Sequence, residues 1–270
     1  MNYTKQFRVV PGSKVDLAEI NAGFKDKHES HEHALPEIET YTQKLHDLQY
    51  LMYAEGKRSL LICLQGRDAA GKDGTINHVL GAMNPQGCTV TGFKVPSKDE
   101  AAHDFLWRYH QHTPGKGQVA IFNRSHYEDV LVVRVHDLVP KKVWSQRYEQ
   151  INDFERLLAD EGTTILKFYL HISPDEQAER LQARLDDPTK HWKFNKGDLE
   201  HRAMWDSYME AYGAALAQTS TDHAPWYVVP ANRKWYRNLV ISRAIVHALE
   251  DMNPQFPPAE EGLDKVVIPD

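Results

Sequence analysis

Apolar positions in this chain follow two different spacings, and the two alternate along its length. Residues 35–55 carry apolar or aromatic side chains at Leu35, Ile38, Tyr41, Leu45, Leu48 and Met52, the three-to-four spacing of an amphipathic helix. Short continuous apolar runs then begin. Residues 59–64, 88–93, 118–122, 163–172 and 226–229 read as strands, 118–122 as a buried one. Helical stretches separate them, at 72–83, 127–135, a longer one after Pro140, 198 to about 218, and 234–252. Two more are opened by capping boxes: Ser97-Lys-Asp-Glu100, predicting a helix to about His112, and Ser173-Pro-Asp-Glu176, predicting one that ends near Asp187-Pro188. Residues 113–117 form a turn. Strands separated by helices predict an α/β fold with a parallel, doubly wound sheet.

This pattern divides the chain into a polar N-terminal extension (1–35), a core domain (36–252) and a tail (253–270) with four prolines. No internal repeat is evident. The cluster Lys27-His28-Glu-Ser-His31-Glu-His33 reads as a solvated charged stretch, because it offers no complete metal-ligand set of fixed geometry.

Composition narrows the class. A length of 270 residues suits one α/β domain with a lid, and 41% hydrophobic with 26% charged residues is ordinary for a globular protein. The net charge of −6 argues against general nucleic-acid binding, so a polyanion must be met by a local basic patch. Cys63 and Cys88 make no disulfide framework. The N-terminus lacks an apolar signal region, and no run approaches the 18 apolar residues of a membrane span, so a cytoplasmic, membrane-free protein is expected.

The strongest chemical signal is Gly66-Arg67-Asp68-Ala69-Ala70-Gly71-Lys72-Asp73-Gly74, directly after the first strand and before a helix. It fits the first seven positions of the phosphate-binding loop G-x-x-x-x-G-K-[ST]. Its glycines permit backbone shapes closed to other residues, its amides point at an anion, and Lys72 brings a mobile charge for a terminal phosphate. Asp73 stands where Ser or Thr is usual, and Asp68 lies inside the loop. Two carboxylates there would repel phosphate unless a cation intervenes, so at least one is expected to hold Mg²⁺.

Ligands of parallel sheets sit at the carboxyl ends of the strands. Three more strand ends are polar or basic: Phe93-Lys94, Asn123-Arg124-Ser-His-Tyr-Glu128-Asp129, and Pro230-Ala-Asn232-Arg233. Asn123 occupies the place of the usual acidic residue, and Asp129 is expected to join Asp68 on the metal. The plainer alternative makes Glu128 and Asp129 first-turn helix charges. Arg124 suits bidentate phosphate contact, or else a surface ion pair. Residues 180–202 hold Arg180, Arg184, Lys190, Lys193, Lys196 and Arg202 against Asp186, Asp187, Asp198 and Glu200, a local +2 with Trp192 and Phe194 between two helices. That stretch reads either as a lid, at about 180–218, which closes over phosphates and excludes water, or as a solvated helix pair.

The phosphate loop, Phe122-Asn-Arg-Ser-His-Tyr-Glu-Asp129 and Asp187-Pro-Thr-Lys-His-Trp-Lys193 together resemble the polyphosphate kinase 2 family, over about residues 35 to 252. Asn123 and Glu128 match the subgroup resembling class III, which phosphorylates both AMP and ADP; other classes more often have Asp at the Asn123 position. The resemblance implies a three-layer α/β/α phosphate-loop kinase fold similar to thymidylate kinase, with a helical lid. It implies phosphoryl transfer from inorganic polyphosphate to AMP and ADP, making ADP and ATP, with Mg²⁺. Asp68 and Asp129 would be the metal carboxylates, and Lys72 and Arg124 the phosphate contacts. Arg184, Lys190 and Lys193 would bind the polyphosphate chain. The expected nucleotide contacts are Phe93, Lys94, Asn123, Arg124, Glu128 and Arg134, and a homo-oligomer (dimer or tetramer) is expected. An ATP-dependent nucleoside monophosphate kinase needs the same loop, lid and metal. A non-enzymatic nucleotide switch would need no lid.

Overall fold

The computed structural model describes residues 3–269. Five parallel strands, β1 (Ser59–Gly66), β2 (Cys88–Gly92), β3 (Val119–Asn123), β4 (Thr163–His171) and β5 (Trp226–Pro230), lie in the order β2-β3-β1-β4-β5. All of β1 is buried, because helices cover both faces of a parallel sheet. Alternate residues of β1 feed two cores. Leu60, Ile62 and Leu64 pack with Leu166, Phe168, Val240 and Ile245; Leu61 and Cys63 pack with Ala120, Phe122, Phe154 and Ile165. The chain leaves β1 towards β2 and β3 on one side and continues to β4 and β5 on the other. The crevice at the end of β1 is therefore the switch point where ligands of such sheets bind.

The long helices follow the sequence pattern. His31–Glu55, capped by Ser30 and ended by Gly56, packs against the closing helix Lys234–Met252. Lys141–Asp160 lies under the other face. Among the described residues, no helix is long and apolar enough to cross a membrane.

Several shorter elements differ from expectation. The Ser97–Glu100 box forms as predicted: Ser97 N donates to Glu100 Oε2 at 2.6 Å, and Glu100 N donates to Ser97 Oγ at 3.2 Å. It opens only a 3-10 turn, Glu100–Ala102. His103 is extended, and Asp104 starts afresh by accepting from the amides of Leu106 and Trp107 before the short helix Trp107–His110. Residues 127–135 split into the 3-10 turn His126–Asp129 and the helix Val132–Val135. The phosphate-loop helix stops at His78. Residues 198–218 form two helices, Gly197–Ala203 and Trp205–Thr219, broken at Met204.

The N-terminal stretch is less solvated than its polarity predicts. Val9, Leu17 and Ala22 are buried, and Val9 N donates to Trp226 O at 2.8 Å along the edge of β5. His28, expected in a solvated run, is 7% exposed and pairs with Glu37 at 2.8 Å.

A buried polar network underlies the end of β3. Lys167, on β4, donates to Glu155 (2.6 Å), Tyr127 (2.7 Å) and the Thr219 carbonyl (2.7 Å), which uses all three ammonium hydrogens. Glu155 also accepts from His126 at 2.9 Å and Tyr127 at 2.8 Å. A buried ion pair is tolerated when its remaining hydrogen bonds are made, and this one ties three elements to the turn that carries the site.

Candidate active site

The site is built on the loop after β1. Gly66 has φ +156°, and a side chain there would press on the Leu170 carbonyl, 3.0 Å from its Cβ. Ala69 at φ +63° and Gly71 at φ +107° turn the chain back into the helix Lys72–His78. Two arginines hold the loop from behind. Arg180 donates to the Ala69 and Ala70 carbonyls, both at 3.0 Å, and to Ala231 O (2.7 Å) and Asn232 O (3.0 Å). Arg237, almost fully buried, lies beside Gly71 and Gly74 and donates to Ala70 O at 3.4 Å. Loop carbonyls are thus engaged on that side, at Ala69 and Ala70.

Lys72 folds back on this loop, donating to Gly66 O at 2.7 Å. Burial, then the nearby Arg124 charge, lowers its ammonium pKa to about 8, against the opposing pull of Asp68, Glu128 and Asp73. Arg124 itself sits at φ +64°, a strained conformation for an arginine, pinned by its amide bond to Leu64 O at 3.1 Å. That backbone turn aims its guanidinium at Asp68 (3.1 Å) and Glu128 (3.5 Å). His201, from the lid, meets the other Asp68 oxygen at 3.0 Å. Burial works to raise the Asp68 carboxyl pKa. The hydrogen bond from His201 and the charges of Lys72 and Arg124 outweigh it and hold the group well below the usual carboxylate range. Asn123 donates to Asp73 at 2.9 Å, which joins the end of β3 to the start of the loop helix.

The structure thus brings Asp68, Lys72, Arg124 and Glu128 together, with Asp73 and Asn123 at their side. It does not pair Asp68 with Asp129. Asp129 is fixed by Tyr109 at 3.0 Å and by Arg147 at 2.9 Å, and burial raises its carboxyl pKa against the pull of Arg147. Arg67, in the loop by sequence, turns its side chain away. Its guanidinium lies 4.1 Å from the Tyr208 ring centre, and it donates to His201 O at 2.6 Å, fastening loop to lid. Phe93 is buried against Tyr109 and Phe122, so of the Phe93-Lys94 pair only Lys94 is exposed. Arg134 is engaged by Glu210, Tyr148 and the Trp144 ring, on the flank of the lid helix Trp205–Thr219.

The segment expected as a lid, about 180–218, consists of the latter half of Pro174–Leu185, the 3-10 segment Pro188–Lys193, Gly197–Ala203 and Trp205–Thr219. Arg184 pairs with Asp198 at 3.3 Å and donates to Lys193 O at 3.1 Å. Lys190 and Lys193 are exposed, the first beside Asp187 at 2.7 Å and the second over the Trp192 ring. Ser173 caps the lid helix as expected. Glu176 instead grips Arg180 at 2.7 Å, while Ser173 N donates to Asn232. Sequence reasoning had no role for Arg237, Arg147, Tyr109 or His201. None follows a motif, and only the meeting of distant segments gives each its place.

Among the described residues, no group of three acidic, histidine or cysteine side chains converges. A divalent cation here would take one or two carboxylates and complete its shell with phosphate oxygens and water, as Mg²⁺ usually does. Asp68, ionised and inside the loop, fits that demand. Asp129, oriented by two hydrogen bonds, has the support that a metal-binding carboxylate requires.

The model of the polyphosphate kinase 2 (PPK2) family matches residues 27–257. The chain belongs to the polyphosphate kinase 2 family. It is 52% identical to the AMP/ADP-polyphosphate phosphotransferase of Meiothermus ruber, over 98% of this chain and 99% of that protein. It is 46% identical to the ADP-polyphosphate phosphotransferase of Rhodopseudomonas palustris, over 94% and 92%. The crystal structure of polyphosphate kinase 2 from Arthrobacter aurescens TC1 matches with a TM-score of 0.94 at 42% identity, covering 98% of this chain and 95% of that one. The family's α/β fold therefore extends over nearly the whole chain.

Proposed function

We propose that this polyphosphate kinase transfers phosphoryl groups from inorganic polyphosphate to both AMP and ADP at one site, with Mg²⁺. The observation that carries the reading is the cluster of Lys72, Arg124 and Asp68 on the phosphate loop, roofed by a lid whose Lys190 and Lys193 are exposed. Polyphosphate is a chain of identical units without a base, so exposed cations can hold it in many registers while the loop fixes one terminal unit. The two full-length relatives named above act on AMP/ADP and on ADP.

The residues divide the work. The loop amides hold the transferred group, while Lys72, exchanging its bond to Gly66 O for a phosphate oxygen, neutralises charge there. Arg124, with two carboxylate partners to leave, reaches phosphate from the β3 side. Asp68 and Asp129 are the proposed ligands that would hold Mg²⁺, whose charge would offset that of the phosphates. Lid closure excludes the water that would hydrolyse the group. Asn123 brings no negative charge against the longer acceptor, consistent with use of both nucleotides.

Incubation with AMP or ADP, polyphosphate and Mg²⁺, with nucleotides resolved by chromatography, tests the reading. ADP from AMP and ATP from ADP are expected. Formation of ADP from AMP only when ATP is supplied would identify an ATP-dependent monophosphate kinase instead.

A further inference from the structure

Asp68 is the one loop carboxylate whose two oxygens are both held, and by residues from different parts of the fold. Arg124, from the end of β3, takes Oδ1 at 3.1 Å, and His201, from the lid helix Gly197–Ala203, takes Oδ2 at 3.0 Å. Because the carboxylate is ionised it can only accept, so His201 Nδ1 carries the proton in this contact. The backbone of His201 is docked independently, through its carbonyl, by Arg67 at 2.6 Å. The Arg67 guanidinium is in turn sandwiched against Tyr208 (4.1 Å) and Trp205 (5.0 Å), both from the next lid helix. Two separate bonds therefore join lid to loop at this residue. One is a main-chain bond unaffected by the side chain. The other is a side-chain bond that ends on the atom a cation would use.

We propose that His201 is a positioning residue that couples the lid to cation binding. Its imidazole holds Asp68 Oδ2 while the site lacks a divalent cation, and entry of the cation onto Asp68 displaces it and loosens the lid at residues 188–203. The inference rests on Asp68 being a cation ligand, as proposed above. It adds a cost to cation binding that the lid itself imposes, and it assigns that cost to one side chain. Arg124 cannot play this part, because it belongs to the fixed end of β3 and its release moves no lid element.

The test is Mn²⁺ binding without nucleotide or polyphosphate, followed by electron paramagnetic resonance of free Mn²⁺. It is paired with limited proteolysis at the exposed lid residues 188–196. His201→Ala and His201→Phe cannot donate to Asp68, and each should bind Mn²⁺ about ten- to a hundredfold more tightly than the wild type, since a hydrogen bond to a charged group no longer competes. His201→Gln, which can donate, should stay within about twofold of the wild type. Mn²⁺ should speed lid cleavage in the wild type and in His201→Gln. The Ala and Phe variants should be cleaved at that faster rate before any metal is added. Unchanged or weaker Mn²⁺ binding in both Ala and Phe variants, with Asp68→Asn abolishing binding, would overturn the latch and leave the metal assignment standing. Wild-type binding in Asp68→Asn would overturn the metal assignment itself, and the latch with it. Since phenylalanine refills the volume that alanine empties, agreement between the two separates the lost hydrogen bond from a packing defect.

Discussion

The guanidinium of Arg237 occupies the space that a side chain at Gly71 would need. A Cβ built on Gly71 would overlap Arg237 Nη1. The glycine of the phosphate loop is therefore fixed twice, by its φ of +107° and by a buried arginine behind it.

Gly71→Ala should displace Arg237 from beside the Ala70 carbonyl and shift the loop. Turnover should fall about a hundredfold, since a 1 Å misplacement near the reacting group can cost that much. Gly12→Ala is the control. It has φ +73° with nothing within 4 Å, so it meets only the backbone penalty of about 1–2 kcal/mol. A Gly71→Ala variant that keeps most of its turnover would contradict the fit described here.

Lys72→Met should lower turnover by about 10²–10³ through loss of charge stabilisation in the transition state. It should also make the ligand-free protein more heat-stable at pH 7. Burial and the Arg124 charge hold the folded pKa at about 8, below the ordinary 10.5, so folding disfavours the ammonium. Between those values the unfolded chain binds the extra proton, and wild-type stability rises with pH through that window. Below pH 8 the penalty is present in full. The melting-temperature gap between Lys72→Met and wild type should be widest near pH 7 and shrink as pH rises from 8 towards 10. A gap independent of pH would argue against a strained lysine.

Asp68→Asn and Asp129→Asn should each raise the Mg²⁺ concentration for half-maximal rate, because an amide offers oxygen without charge. Their stabilities should differ. Asp68→Asn removes a carboxylate that its partners hold ionised in the fold and should cost more, whereas Asp129→Asn leaves Arg147 without its counter-charge but also removes a carboxylate that burial disfavours, so its loss should be smaller. If Asp129→Asn loses stability but titrates with Mg²⁺ like wild type, while Glu128→Gln does not, the second carboxylate of the metal site is Glu128.

Asn123→Asp should impair ADP use more than AMP use, because ADP brings one more negative charge to the same place. The structure adds a second consequence. Asn123 donates to Asp73 at 2.9 Å, and two carboxylates at that distance repel. The exchanged pair Asn123→Asp with Asp73→Asn restores a donor and an acceptor. If the AMP preference persists in the exchanged pair, it arises from charge at position 123; if it vanishes, it arises from the broken link to the loop helix.

Lys190→Ala combined with Lys193→Ala should raise the KM for long polyphosphate more than that for the nucleotide. Both lysines are exposed, and a repeating anion gathers affinity from several charges at once. The wild-type KM for polyphosphate should rise with salt, since exposed charges are screened over about 8–10 Å near physiological ionic strength. Equal losses for both substrates would mean that the segment closes the site and does not hold the donor.

The sequence by itself determined the sheet and the loop. Short apolar runs read as strands when helical repeats separate them, although β2 proves largely exposed, and a glycine loop between strand and helix carries its own backbone rules. That is why β1 to β5, the long helices and the neighbourhood of Asp68 and Lys72 were legible. Local cues were equally good at caps: Ser97 and Ser173 both cap where expected. They failed where the next interaction was distant. Glu176 left its own cap for Arg180, and the helix predicted after Glu100 gave way at His103 to a new start at Asp104. The tertiary structure alone decided which side chains meet. Asp68 found His201 across 133 positions, Arg67 turned to Tyr208, Phe93 went into the core, and adjacent Glu128 and Asp129 parted to different partners. A motif fixes residues a few positions apart because the backbone between them has few shapes. Partners a hundred residues apart are chosen by packing, strand order and the cost of leaving a buried charge alone.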